Sequence, residues 1–343
     1  MFMRMLITGL ILVLALATLA NAQDTTPTVP AGPRPTEIAI NESTTLQIMG
    51  FGDLLTTFQD NNDGSTFDIG QAEVDLESEL TDRFAIALAI AYDEGSFTIG
   101  AFTADYNAWS VSESRPSFLG INNFTIGGGQ HDVPFGIDWH VYPSIDRKLI
   151  SSPLVIENTH DSWNDIGGYA STEATWGNVT VFVANGFSYE GTDPSGEELE
   201  THNDLAIGGR LGLILNGSFE LGGSLARIYG LDQTHDMLLA GVDIQVSIEN
   251  FKFKGEYIAH RFESDDNSNF TNDGFYLQGF YGIGSWYLIG RYDEFRPDQK
   301  SADIARTSTG LGHNINDIIE LRLEYQANKE AEDAAIFQVA FGF

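Results

Sequence analysis

Apolar and polar residues alternate along most of this chain, and the period is two. In "DIIELRLEYQA", Ile319, Leu321, Leu323 and Tyr325 fall on one face, and Glu320, Arg322, Glu324 and Gln326 on the other. In "NFKFKGEYIAH", Phe251, Phe253 and Tyr257 oppose Lys252, Lys254 and Glu256. In "QAEVDLESEL", Ala72, Val74, Leu76 and Leu80 oppose Glu73, Asp75, Glu77 and Glu79. In "RFAIALAIAY", Phe84, Ile86, Leu88, Ile90 and Tyr92 oppose Ala85, Ala87, Ala89 and Ala91. A period of two belongs to a strand with unlike environments on its two faces. About sixteen such segments recur, near 45–58, 66–80, 83–93, 97–111, 122–131, 164–174, 177–187, 203–215, 217–229, 235–248, 250–263, 272–282, 284–296, 303–313, 316–327 and 333–343. No helical period of useful length interrupts them.

Strand length and connection length together select the architecture. A strand crosses a bilayer in roughly 9–11 residues, which most segments match. Connections after even-numbered segments are mostly tight ("TDR", "GN", "NG", "EN", "GS", "NIN"). Those after odd-numbered segments are mostly longer and acidic ("DNNDGST", "EGTDPSGEELETH", "ESDDNSNFTN", "RPDQKSA"). Short turns on one side and long loops on the other predict an all-β transmembrane antiparallel β-barrel of about 16 strands. A soluble sandwich also alternates but has no reason to segregate its loops. The connection "SESRPSFLGI" breaks the rule and blurs the early boundaries.

The last segment, "AAIFQVAFGF", fits a strand that closes a ring. Phe337, Val339, Phe341 and Phe343 would face lipid, with Gln338, Ala340 and Gly342 toward the lumen. Phe343 would sit in the periplasmic aromatic girdle. A terminal aromatic on an alternating strand also resembles the signal read by bacterial barrel-assembly machinery. Phe341 and Phe343 are the residues that would carry it.

Composition refines the picture. Residues 1–22 have one cation (Arg4), an unbroken apolar run and the triplet Ala20-Asn21-Ala22, the features of a secretory signal peptide. Residues 23–43, rich in Pro and Thr, read as a disordered periplasmic leader, and 44–343 as an outer-membrane barrel. The chain has no cysteine, so no lipoprotein anchor is expected. It has 49 acids against 17 bases, of which Arg4 leaves with the signal. Phosphates would be repelled, which argues against a nucleic-acid partner.

One odd-numbered connection, roughly 132–163, is far longer than the rest. Long structureless loops are uncommon unless functional. Phe135, Trp139, Tyr142, Leu149, Ile150, Leu154, Val155 and Ile156 would be awkward in open water, so the loop after strand five is expected to fold into the barrel and narrow it. The alanine face of strand three offers a wall to lie against. Asp138, Asp146, Arg147, Lys148, Glu157 and Asp161 are the candidate constriction residues.

A family resemblance enters with "GGGQHDVPFGID", "WGNVTVFVANGFSYEG" and "IGGRLGLILNGSFELGGSLARIYG". In order, Pro134-Phe135-Gly136, Asn185-Gly186, Gly209-Arg210-Leu211 and Gly223-Ser224 resemble the phosphate-selective porin O/P family of Gram-negative bacteria. The resemblance implies a sixteen-stranded barrel, commonly trimeric, that passes small solutes by diffusion through the outer membrane among its lipid and lipopolysaccharide. Phosphate conduction in that family relies on many pore-lining bases. The acidic balance here predicts weak selectivity or cation preference instead.

The candidate pore-lining residues are Glu73, Asp75, Glu77 and Glu79 on the second strand and Lys252, Lys254 and Glu256 on the eleventh, with Glu320, Arg322 and Glu324 on the fifteenth. With sixteen strands the second and eleventh face each other, so a field could run across the pore, acidic wall to basic wall. Solvation of a wet wall is the plainer reading of the same charges. A non-conducting surface anchor or adhesin barrel is the alternative function. No nucleophile elbow, metal motif or cofactor motif appears, so no enzyme, metal or cofactor is expected. The acidic connections invite divalent ions, but Gly64 comes one position too early for a calcium loop.

Overall fold

The computed structural model describes residues 35–41, 44–59, 67–93, 95–111, 119–141, 143–187, 189–192, 198–201, 205–230, 235–264, 269–298, 303–329 and 331–343. The signal peptide, most of the leader and the longest acidic connections lie outside these. Sixteen strands form one antiparallel ring: β1 (Thr44–Gln59), β2 (Phe67–Thr81), β3 (Phe84–Asp93), β4 (Ser96–Ser110), β5 (Asn123–Asp132), β6 (Asn164–Ala174), β7 (Gly177–Ala184), β8 (Leu205–Asn216), β9 (Phe219–Tyr229), β10 (His235–Ile248), β11 (Phe251–Ser264), β12 (Phe270–Ile283), β13 (Trp286–Arg296), β14 (Ile304–Asn314), β15 (Ile319–Asn328) and β16 (Ala334–Gly342). They coincide one for one with the sixteen alternating segments.

The ring closes where β16 pairs with β1, from Ala334 opposite Gln59 to Gly342 opposite Phe51. Between β7 and β8 a small outer hairpin (Tyr189–Thr192 with Glu198–Thr201) intervenes, yet Ala184 still pairs with Ala206. Each strand thus has a partner on both sides, which is what hydrocarbon demands of a backbone without water. Two-residue turns join β2–β3, β6–β7, β8–β9, β10–β11 and β12–β13. Glu249 and Gly284 have φ of 49° and 58°, the left-handed backbone that such tight hairpins require.

Alternation is realised as an outer apolar band. Ile207, Leu211 and Leu213 on β8, Leu221 and Leu225 on β9, and Leu277, Tyr281 and Ile283 on β12 are exposed. Their neighbours Arg210, Ser224, Ala226 and Tyr276 are buried inside. On β16, Phe341 and Phe343 are exposed and Gln338 and Ala340 buried. No helix of the described residues is long and apolar enough to cross a membrane.

One expectation about the leader is corrected. Thr36–Asn41 is a strand, pairing antiparallel with the start of β1 from Thr36 opposite Ile48. The reason is geometric. β1 runs to Thr44, beyond Phe51, its last ladder partner on β16, and a bare edge there invites pairing. Ile38 opposes Leu46, so the leader strand also extends the apolar band.

After β5 the chain turns inward. It forms a 3-10 turn at Asp138–Val141 and a one-turn helix, α1 (Leu154–Glu157). The core of the molecule lies here, inside the barrel. Val133, Phe135, Ile137, Val155, Ile156 and Trp163 of the loop pack with Ala226, Ile228, Met237, Leu239, Ile258, Phe262 and Tyr276 of the wall. The loop therefore does not lie on the alanine face of β3. Large apolar side chains on the lumen face of β9–β12 offer far more area to bury than four methyl groups do. The alanines border open space instead.

Candidate functional site: a latched loop and the chamber beside it

The loop starts at the turn Pro134-Phe135-Gly136. Gly136 has φ of 69°, and its N–H donates to Ser224 Oγ at 3.0 Å. A methyl group at Gly136 would run into the Glu256 carboxylate. Phe135 is fully buried, edge-on to His160 at 4.9 Å between ring centres. Burial drives the His160 imidazole down to about pKa 4, and the nearby Asp138 charge only partly offsets this.

Charged groups then latch the loop to the wall. Arg322, 2% exposed, uses all five N–H donors. Two go to Glu320 (2.9 and 3.0 Å), two to the loop carbonyls of Ser144 and Ile145, and one to Gln338. Glu324, 1% exposed, accepts the N–H groups of Ile150 (2.6 Å) and Ser151 (3.0 Å). Arg291 donates to the Ser151 and Ser152 carbonyls at 2.9 and 2.8 Å. Asp293 accepts the Leu154 N–H at 2.8 Å, so the wall caps the first turn of α1, whose own Pro153 cannot. Arg306 bridges Asp293 and Glu157, each at 3.2 Å. Lys148 pairs with Glu320 at 2.8 Å, and Lys254 pairs with Asp138. Burial alone would push Asp138 up, but Lys254 and the Tyr276 hydroxyl hold its carboxyl below the usual range. On the far side, Ser144 donates its N–H to Gln71 Oε1 (2.8 Å) and its hydroxyl to Asp53.

These contacts sort the candidate residues. Glu256, Glu320, Arg322 and Glu324 are covered by the loop and are not in open water; the last three bind the loop's backbone or its Lys148, while the Glu256 oxygens are buried without a hydrogen-bond partner. Asp138 is buried, while Asp146 and Asp161 are exposed, and Arg147 donates to Ser152 Oγ at 2.7 Å. Glu73 and Asp75 border a cavity of about 680 Å³ between the loop and β1–β7, together with Asp132 of β5. Glu77 and Glu79, further along β2, are exposed. Lys252 and Lys254 border a second cavity of about 320 Å³, with Asp146, Arg147, Lys148 and Arg291. The loop contributes a wall to both, so the acidic and basic faces are separated by it.

At the level of fold, known proteins resemble this one. No protein-family model and no curated protein sequence matches the chain. Solved structures do. OmpF of Salmonella typhi, in complex with daunomycin, superposes with a TM-score of 0.65 at 11% identity, covering 90% of this chain and 100% of that one. An anion-selective porin from Comamonas acidovorans gives 0.64 at 12% identity, covering 88% and 100%. The trimer form of OmpT, an outer membrane protein of Vibrio cholerae, gives 0.60 at 13% identity, covering 88% and 100%. The fold is that of outer-membrane porin barrels.

Several latch residues escaped the sequence reading, among them Asp53, Gln71, Tyr287, Arg291, Asp293 and Arg306. A signal existed for some. Arg291 and Asp293 both have the lumen-facing parity of β13, as Glu320, Arg322 and Glu324 have on β15. Parity places a charge inside but does not say whether water or a loop will meet it.

Proposed function

We propose that this chain is an outer-membrane porin for passive diffusion of small hydrophilic solutes, with a preference for cations. The observation that carries the reading is how the latch distributes charge. Arg210 is engaged by Asp243 and Glu220, Lys254 by Asp138, Arg291 and Arg306 by Asp293, and Arg322 and Lys148 by Glu320. These bases are thus neutralised, while Lys252 borders the smaller cavity. Among the described residues no lysine or arginine borders the larger cavity, whereas Glu73, Asp75 and Asp132 do. An uncompensated acidic passage concentrates cations. Phosphate selection finds no support in this arrangement. Integral location in the Gram-negative outer membrane, amid lipid and lipopolysaccharide, belongs to the same proposal and is supported by the apolar band. Assembly through Phe341 and Phe343 and a homotrimer are part of the same proposal, the latter by analogy with the trimer form of the V. cholerae protein.

Planar-bilayer recording of the purified protein tests it. Stepwise conductance in multiples of three and a reversal potential favouring potassium in a KCl gradient are expected. Chloride preference would end the cation reading, and absence of conductance would favour the surface-anchor alternative. Asp146→Lys should shift the reversal potential toward chloride, because Asp146 shares its cavity with Arg147 and Lys252.

A further inference from the structure

The larger cavity is more specific than a wet passage needs to be. Its volume of about 680 Å³ is that of a small-molecule site. Its charge is one-sided: among the described residues none of Glu73, Asp75 and Asp132 forms an ion pair. Glu73 and Asp75 lie within hydrogen-bonding reach of each other, and Asp132 is close enough to add its repulsion. Like charges crowded without a base must share a proton or take up a cation.

A second observation comes from His131, which borders the same cavity and is 7% exposed. Its Nδ1 lies 3.1 Å from the Gly129 carbonyl oxygen. A carbonyl only accepts, so in the neutral ring Nδ1 carries the hydrogen and Nε2 keeps a lone pair. That Nε2 is buried and has no partner. Nearby amides offer few donors in return. Asn164 directs its N–H groups to the Gly100 carbonyl and to Asp132, and Gln130 directs its own to the Ile99 carbonyl and Asn164. Around the acids and His131 Nε2 the cavity thus offers acceptors without a basic donor.

The donor has a body. Among the described residues no three acidic or histidine side chains converge tightly enough to hold a metal ion. Phe51, Tyr92 and Trp139 border the same space, and aromatic faces attract organic cations. We infer that the cavity is a binding site for organic cations, with an ammonium or guanidinium among Glu73, Asp75, Asp132 and His131 and an apolar body against Phe51, Tyr92 and Trp139. The inference deepens the diffusion-pore reading and rests on it only for how the solute arrives.

Two measurements separate the two claims: current block in planar bilayers, and calorimetric titration of the detergent-solubilised protein, which needs no conductance. The probes are tyramine, agmatine and tyrosol, the last having tyramine's body without its charge. Tyramine and agmatine should block reversibly and bind saturably, and tyrosol should do neither. The isosteric variant E73Q/D75N should weaken cation binding at least about tenfold, and W139A should weaken tyramine more than agmatine. Conductance without block or binding would overturn this inference and leave the pore standing. Equal binding of tyrosol, or unchanged cation affinity in a folded E73Q/D75N variant, would also overturn it. Calorimetric binding that E73Q/D75N abolishes, in a protein that does not conduct, would support the site and overturn the pore.

Discussion

Gly136 and Arg322 hold the same loop near its start and near its middle, by different physics. Gly136 sits at φ 69° against Glu256, so both backbone and space exclude a side chain. Gly136→Ala should cost about 1–3 kcal/mol from backbone strain alone, read as a lower melting temperature in detergent. The companion change Glu256→Ala should recover the steric part only. Arg322 is buried and fully bonded, so removing it leaves Glu320 with Lys148 as its one cation among the described residues and strands two loop carbonyls. Breaking a buried pair this way costs about 3–5 kcal/mol. The lack of native cysteine provides a clean reporter. A thiol at Leu149→Cys, buried in the latched loop, should label much faster in the Arg322→Met background. Equal labelling rates would mean that the latch lies elsewhere.

Among the elements, the loop is pH-sensitive and the seam is not. His160 has its pKa depressed from 6.5 to about 4 in the docked loop. A released loop would take up a proton near 6.5, whereas the docked one resists until about 4. The His160 contribution to docking is therefore fully present above pH 6.5 and is lost as the pH falls toward 4, by up to about 3 kcal/mol. Asp138, held below its usual range by Lys254, contributes a further loss only at still lower pH. Amide exchange over residues 154–160, corrected for its intrinsic pH dependence, should accelerate across that window in the native chain and stay flatter in His160→Phe. At the seam, Phe343 and Phe341 lie over Gly50 and Gly52 of β1, and the Gly50 and Phe343 backbones exchange hydrogen bonds of 3.1 and 2.9 Å. Aromatic rings covering facing glycines stabilise a strand pair. Phe341→Ala should slow refolding into lipid vesicles, a deficit that Gly52→Ala in the same chain would partly restore, since without the ring the new methyl meets Ala72 Cβ at an ordinary 3.5 Å.

For the whole molecule, the loop decides how an acidic barrel presents its charge. Deleting residues 139–161 would widen the lumen and uncover a wall where Arg210, Lys254, Arg291, Arg306 and Arg322 are matched by Asp243, Glu256, Asp293, Glu320 and Glu324. Conductance should rise and cation preference should fall, because the acidic cavity becomes a fraction of a wider, balanced passage. Unchanged selectivity would locate the discriminating charges in the outer connections, where salt screens them within about 8 Å.

The alternation of side chains determined the ring by itself. A strand with one greasy and one polar face has few stable homes, and loops segregated by length leave only the closed barrel. It also marked the long connection after β5 as inward, since eight apolar residues need cover. Which wall the loop chose was decided only in three dimensions. The choice depends on strands far apart in sequence, Ile228, Ile258 and Tyr276 on three of them, presenting apolar area at one depth. The leader strand likewise formed because β1 outran β16, a mismatch of lengths that no local pattern in Thr36–Asn41 records. Parity told which charges faced inward; only the packed loop separated those that bind it from those left facing water.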